Sequence, residues 1–123
     1  MCYKITSLFG VAHGHAAVLC DRKLFPWMIQ HTEQCIDPRG KNYLQETLTD
    51  ISRAMGCDTP EAAAEKVEGV FASLSLDVPS ATEEQFVLLK RSVNPVRLKN
   101  HPVQLTEGII DILYHEILKG GNV

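Results

Sequence analysis

Along most of this chain, apolar positions recur every three or four residues, the period of a helix that turns one face inward. Gly14 to Cys20 is small and apolar and reads as a short buried helix. Asp21 to Cys35 reads as a second, with Leu24, Trp27, Met28 and His31 on one face and Pro26 near its beginning, where a missing amide donor is tolerated. Asp37-Pro38-Arg39-Gly40 is a turn by composition. From Asn42 to Met55 the stripe is Leu44, Leu48, Ile51 and Met55, and Gly56 follows as a left-handed cap. Thr59-Pro60-Glu61 opens another helix with an N-cap, a first-turn proline and an acid at the positive dipole end. Its predicted inner face is Val67, Val70, Phe71 and Leu74.

Pro79 and Ser80 break the chain, and Thr82 with Gln85 three residues later forms a capping box. That helix runs through Phe86 to Val93 and stops at Asn94-Pro95, because the proline disfavours helical geometry before it. Val96 to Gln104 is polar, holds Pro102 and reads as an irregular connection. A last helix starts at Thr106-Glu107, packs Ile109, Ile110, Leu113 and Ile117 inward, and ends at Gly120-Gly121. No repeat or strand pair emerges, since an Ile5–Phe9 strand would lack a partner. The expected fold is all-α, an irregular bundle of about five to six amphipathic helices forming one domain over residues 1–123.

Composition changes this picture little. At 123 residues, 45% hydrophobic and 22% charged, the chain suffices for one core and not for two domains. A formal charge of −3, with scattered lysines and arginines, gives no footprint for nucleic acid. The densest basic groups, Lys90-Arg91 and Arg97/Lys99, read as solvated faces. No run approaches the roughly 20 apolar residues of a membrane helix. His13, Gly14 and His15 interrupt the only stretch that an export signal could use. The four cysteines contain no Cys-x-x-Cys pair and read as reduced, mostly core thiols, which with the absent export signal suggests a cytoplasmic protein.

The local constellation with chemical promise is Gly10-Val11-Ala12-His13-Gly14-His15-Ala16-Ala17. Flanking glycine lets backbone approach closely, and a histidine at a loop-to-helix junction can aim a ring nitrogen into a cleft. Imidazole suits zinc, iron and similar divalent ions. By residue types alone, an ordinary capping or hydrogen-bonding role for His13 is the commoner outcome. His15, two positions on, would not share a helix face with it. His31 reads as a core-edge group, His101 as exposed, and His115 as a complement to a helix dipole.

The run from Ser7 to Leu19 around His13-Gly14-His15-Ala16 resembles the signature of iron-containing (group III) alcohol dehydrogenases. The order of helices, Asn94-Pro95, and Leu105-Thr106-Glu107 leading into an apolar helix also resemble that family's C-terminal half. The resemblance implies that His13 is the last protein ligand of a catalytic metal, iron or zinc, in an NAD(P)-linked enzyme. It implies three further ligands and a Gly-rich nucleotide-binding domain, all earlier in the chain of such an enzyme. By the family's spacing, the preceding histidine ligand falls just before Met1, and a further active-site histidine of many members falls at Tyr3. That departure leaves Tyr3 with a phenol as its contribution. Lys4 is a candidate for an anionic group or a plain loop cation.

Three functional expectations follow. The chain is a C-terminal portion of a metal-dependent dehydrogenase or aldehyde reductase, inactive and without cofactor by itself. Alternatively it is one half of a split oxidoreductase, whose partner is a nucleotide-binding subunit. Or it is a non-catalytic helical module that assembles as a homo-oligomer through apolar surface.

Overall fold

The computed structural model describes residues 1–120. Among them the expected all-α character holds, with seven helices, one 3-10 turn and one pair of two-residue strands. Helix α1 spans Cys2–Phe9 and was not anticipated. Cys2, Ile5, Leu8 and Phe9 nevertheless carry a three-and-four spacing, with Ile5 wholly buried. Gly10 ends the helix at φ +66°, and its N–H reaches the Thr6 carbonyl at 3.0 Å.

Helix α2, His13–Gln30, replaces the two helices expected from Gly14 to Cys35. No glycine or proline separates Cys20 from Asp21, so nothing interrupts it there. Pro26 lies inside its last turns and not near a helix start. It withholds the amide that would reach the Arg22 carbonyl, a loss accepted because only Trp27 to Gln30 follow. A 3-10 turn at Thr32–Gln34 then leads to the Asp37–Gly40 turn.

Helix α3, Gly40–Ala54, buries Leu44 and Leu48 as expected, but Ile51 faces outward. Ser52 takes the inner place and donates its hydroxyl to the Leu48 carbonyl at 2.7 Å. Gly56 is left-handed, as read from the sequence. Helix α4, Pro60–Ser73, begins on Thr59, whose hydroxyl accepts the Ala62 N–H at 3.1 Å. Its inner face is Ala63 and Phe71, one residue type smaller and one stripe narrower than expected; Val70 and Leu74 are exposed.

Helix α5, Glu83–Ser92, carries the anticipated Thr82/Gln85 capping box. The connection after it is more ordered than its polar sequence suggests. Asn94 caps a single turn, α6 at Pro95–Leu98, by accepting the Val96 N–H at 2.9 Å. Val103 is fully buried and bridges Cys35, with Ile36 N–H donating to Pro102 at 2.8 Å and Gln104 N–H to Gln34 at 3.0 Å. Helix α7 spans Glu107–Ile117 and ends before Gly120; Gly121 lies outside the described residues. A short parallel pairing, β1 at Ser80–Ala81 with β2 at Lys119–Gly120, corrects the expectation of no strands.

Helix α2 packs on α1, α4 and α7, while α5 covers α7 and α3 leans on α4. The main core gathers Ile5, Leu19, Phe71, Phe86, Leu113 and Tyr114 from five helices. Tyr114, placed near a helix end by sequence, is wholly buried and donates its hydroxyl to the Met1 carbonyl at 3.0 Å. A smaller core of Leu44, Leu48 and Val103 closes under Phe25 and Met28. Arg22, at 8% exposure, is buried between α2, α4 and α7. It donates to Glu68 Oε1 and to the Ile117 carbonyl, each at 3.2 Å, and its guanidinium lies 4.5 Å from the Phe71 ring centroid.

All four cysteines are free, but only Cys20 is buried; Cys2, Cys35 and Cys57 are half-buried. Burial pushes the Cys20 thiol up to about 12 from 9.0, opposed by a smaller attraction from the N-terminal charge.

This packing sets how the chain responds to substitution, labelling and pH. Arg22→Ala should lower stability by about 2–4 kcal/mol, seen as a lower urea midpoint at unchanged slope. Glu68→Gln should cost less than about 1 kcal/mol, because Glu68 is 49% exposed and screened. Finding the Glu68 variant the weaker of the two would contradict the role given to Arg22. A maleimide pulse near pH 8, read by intact mass, should label Cys2, Cys35 and Cys57 well before Cys20, which should react only after denaturation. The native state keeps a Cys20 proton that the unfolded chain releases above pH 9.0. This contribution to stability is therefore whole below pH 9.0 and declines as pH rises toward about 12.

Candidate functional site

His13 is the first residue of α2, exposed, at the loop-to-helix junction expected from its neighbours. The left-handed turn at Gly10 folds α1 back against α2 and brings Tyr3 over the imidazole. The two rings stack with centroids 5.3 Å apart and planes inclined by 28°. The Arg97 guanidinium also lies over the tyrosine ring, 5.9 Å from its centroid. This neighbour was not legible beforehand, since Arg97 reads from the sequence as part of a solvated face.

The other histidines are engaged. His15 Nε2–H donates to the Asp77 carbonyl at 2.7 Å, which separates it from His13 as the helical spacing required. His31 donates through Nδ1 to Trp27 at 2.6 Å and stacks on that indole, the core-edge role expected for it. His101 is half-buried and not exposed as anticipated; its Nδ1 lies 2.7 Å from the Val103 carbonyl. His115 bonds the Asp111 carbonyl at 2.8 Å and stacks on Phe86. Among the described residues, His13 is the histidine whose ring nitrogens make no hydrogen bond.

A catalytic metal centre of the zinc or iron type takes three or more protein ligands. No group of three or more His, Cys, Asp or Glu side chains converges among the described residues. His13 can contribute one imidazole, with Tyr3 holding its ring in place. Among the described residues no strand runs into a Gly-rich turn and helix, the arrangement that usually supports a nicotinamide nucleotide. The left-handed glycines Gly10 and Gly56 close helices, and Gly120 sits in the two-residue strand β2.

Beside Tyr3 opens a cleft of about 690 Å³ between α1, α2 and the segment from Ser92 to Leu105. Its floor is apolar, from Ala17, Cys20 and Leu24 of α2 with Val93, Leu98 and Leu105 opposite. Lys4 and Arg97 stand on it from the two walls, together with Asn100 and His101. Asp21 is also present, and partial desolvation raises its pKa from 3.8. Tyr3 and Lys4 were legible as candidates from the signature's surroundings. Arg97, Asn100 and His101 were not, because only folding brings them within reach of a helix some ninety residues earlier. Asn94-Pro95 and Pro102 were the available hint, since they hold that segment out of a helix.

No protein-family model matches this chain, and no curated protein or solved structure is similar to it.

Proposed function

We propose that this chain is the C-terminal helical portion of a metal-dependent, NAD(P)-linked alcohol dehydrogenase or aldehyde reductase, inactive alone. The observation that carries the reading is His13, exposed at the start of α2 and making no ring hydrogen bond among the described residues. It stands in the sequence run that resembles the iron-containing family's ligand signature. In this reading the nucleotide-binding portion and the other metal ligands come from polypeptide outside these residues. A bound iron or zinc ion would supply a Lewis acid there. This chain's part is to present one neutral imidazole, orient it against the Tyr3 ring, and offer the Tyr3 phenol as a hydrogen-bond donor beside it.

A second reading, a helical module that self-associates, draws on exposed apolar side chains. Val87 and Leu88 on α5 and Ile112 on α7 lie outside the core of two helices that pack together. Exposed apolar side chains on adjoining helices favour association where they join into one patch.

The purified chain, supplied with ferrous iron or zinc, should oxidise neither NADH nor NADPH with short aldehydes above the blank rate. Measurable turnover would remove the claim that it is inactive alone. Joined to a nucleotide-binding portion encoded upstream of Met1, it should gain activity, and His13→Ala should abolish that gain. The loss should exceed the about 10–100-fold typical of removing an outer-shell partner of a metal ligand. Full activity in the His13→Ala form would rule out the ligand assignment. Multi-angle light scattering should show a dimer or larger at high concentration, and a strict monomer would remove the second reading.

A further inference from the structure

The cleft between α1, α2 and the Ser92–Leu105 segment lies beside Tyr3, but His13 is not among the residues that line it. The ligand role proposed for that histidine leaves the cleft unused. Its volume of about 690 Å³ falls within the range of about 300–1,000 Å³ usual for small-molecule sites. Such sites combine an apolar lining with a few polar groups that fix orientation. Leu24, Val93, Leu98 and Leu105 supply the first part, each half-buried and with apolar surface that a ligand would cover.

The polar lining sorts into two sets. Ser7, Ser92 and Asn94 use their side chains within the fold, on the Lys4 and Leu89 carbonyls and the Val96 N–H, and His101 Nδ1 lies against the Val103 carbonyl. Lys4, Asp21 and Arg97 make no ion pair among the described residues. Exposed opposite charges elsewhere on this chain meet directly, as Arg39 meets Asp37 and Lys41 meets Glu33, each at 3.0 Å. In the cleft, two cations and a carboxylate share one space without touching. Three helices hold them apart, with Lys4 on α1, Asp21 on α2 and Arg97 on α6. Each is next in sequence to a residue of the main core, Ile5, Cys20 or Leu98, so the charges stand on backbone that packing fixes.

Charge then selects the ligand. A plain anion would meet Lys4 and Arg97 but also the Asp21 carboxylate, and a plain cation would meet the reverse. Either leaves one sign opposed. A neutral apolar molecule would cover the floor but strip water from three charges and pair none of them, which is costly. A molecule carrying both signs on an apolar body answers every group. Partial desolvation raises the Asp21 pKa from 3.8, and an ammonium beside that carboxylate would act the opposite way.

We infer that this cleft binds a small zwitterion with an apolar body, its carboxylate toward Lys4 and Arg97, its ammonium toward Asp21 and its apolar part on Leu24, Val93 and Leu98. A short apolar peptide with free ends has this chemistry. The inference does not rest on the dehydrogenase reading, because no metal or nicotinamide enters it.

The test titrates the full chain, isotope-labelled, with the dipeptide L-leucyl-L-phenylalanine and two derivatives of it. The N-acetylated form lacks the ammonium, and the C-terminal amide lacks the carboxylate. Amide shifts on adding the dipeptide should concentrate at Lys4, Asp21, Leu24, Arg97 and Leu98. Each derivative should bind at least about tenfold more weakly than the dipeptide, a difference of about 1.4 kcal/mol. Asp21→Asn should lose the same factor for the dipeptide and nothing for the acetylated form. Lys4→Gln/Arg97→Gln should lose it for the dipeptide and nothing for the amide. A variant that loses both ligands has unfolded, and the ranking of the three ligands on the original chain then decides. Absence of binding at millimolar dipeptide, or shifts centred elsewhere, would overturn the proposal. An acetylated form that binds as well as the dipeptide would make this a plain anion site, and an amide that does so a plain cation site; either overturns it equally. None of these readings depends on turnover, so failure here and failure of the proposed function are separable.

Discussion

The architecture turns on one buried guanidinium. Arg22 sits mid-way along α2 and reaches two other helices, α4 through Glu68 and the end of α7 through the Ile117 carbonyl. The second contact satisfies a carbonyl that a helix leaves without an internal partner, and places positive charge at the negative end of its dipole. The flat face of the same group covers Phe71, the large buried side chain of α4. A lysine could occupy the space but could not make both bonds and the stack at once. Burying such a charge is costly, and Arg22 Nε has no hydrogen-bond partner among the described residues. The contacts to Glu68, Ile117 and Phe71 offset that cost only while α2, α4 and α7 hold their present crossing.

That dependence explains which elements could be read from the sequence. Thr59-Pro60, the Thr82/Gln85 box, Asn94-Pro95 and Gly56 were legible because each acts on atoms within four residues of itself. Which apolar residue faces inward is decided at longer range. On α4, Phe71 turns toward Arg22 and α2, so Val70 and Leu74, equally apolar, are rotated into solvent. On α3 the inward register admits Ser52, which satisfies its hydroxyl within its own helix, and leaves Ile51 outside. The junction of the two helices expected from Gly14 to Cys35 dissolved for a related reason. Pro26 weakens the helix four residues beyond Arg22, but the interhelical contacts of Arg22 itself fix that turn from outside. The β1–β2 pairing joins residues some forty positions apart and leaves only a two-residue trace in each strand, too short for a period to show.

The candidate site divides along the same line. His13 stood out because glycine and alanine around it describe a tight turn into a helix, and that turn is present. Its uncommitted state could not be read, since it depends on where Asp77, Trp27, Val103 and Asp111 place their carbonyls beside the other four histidines. The cleft was hidden for the same reason, being assembled from both ends of the chain.

Tyr3 is the residue that joins these two places. One face of its ring lies on the His13 imidazole, and Arg97 approaches from the cleft. An exposed cation–π contact is worth about 0.5–1 kcal/mol, and aromatic stacking is of similar size. Neither alone would hold an exposed phenol in one rotamer against its entropy. Together they favour one position for the ring, which is set by α1, α2 and α6 at once.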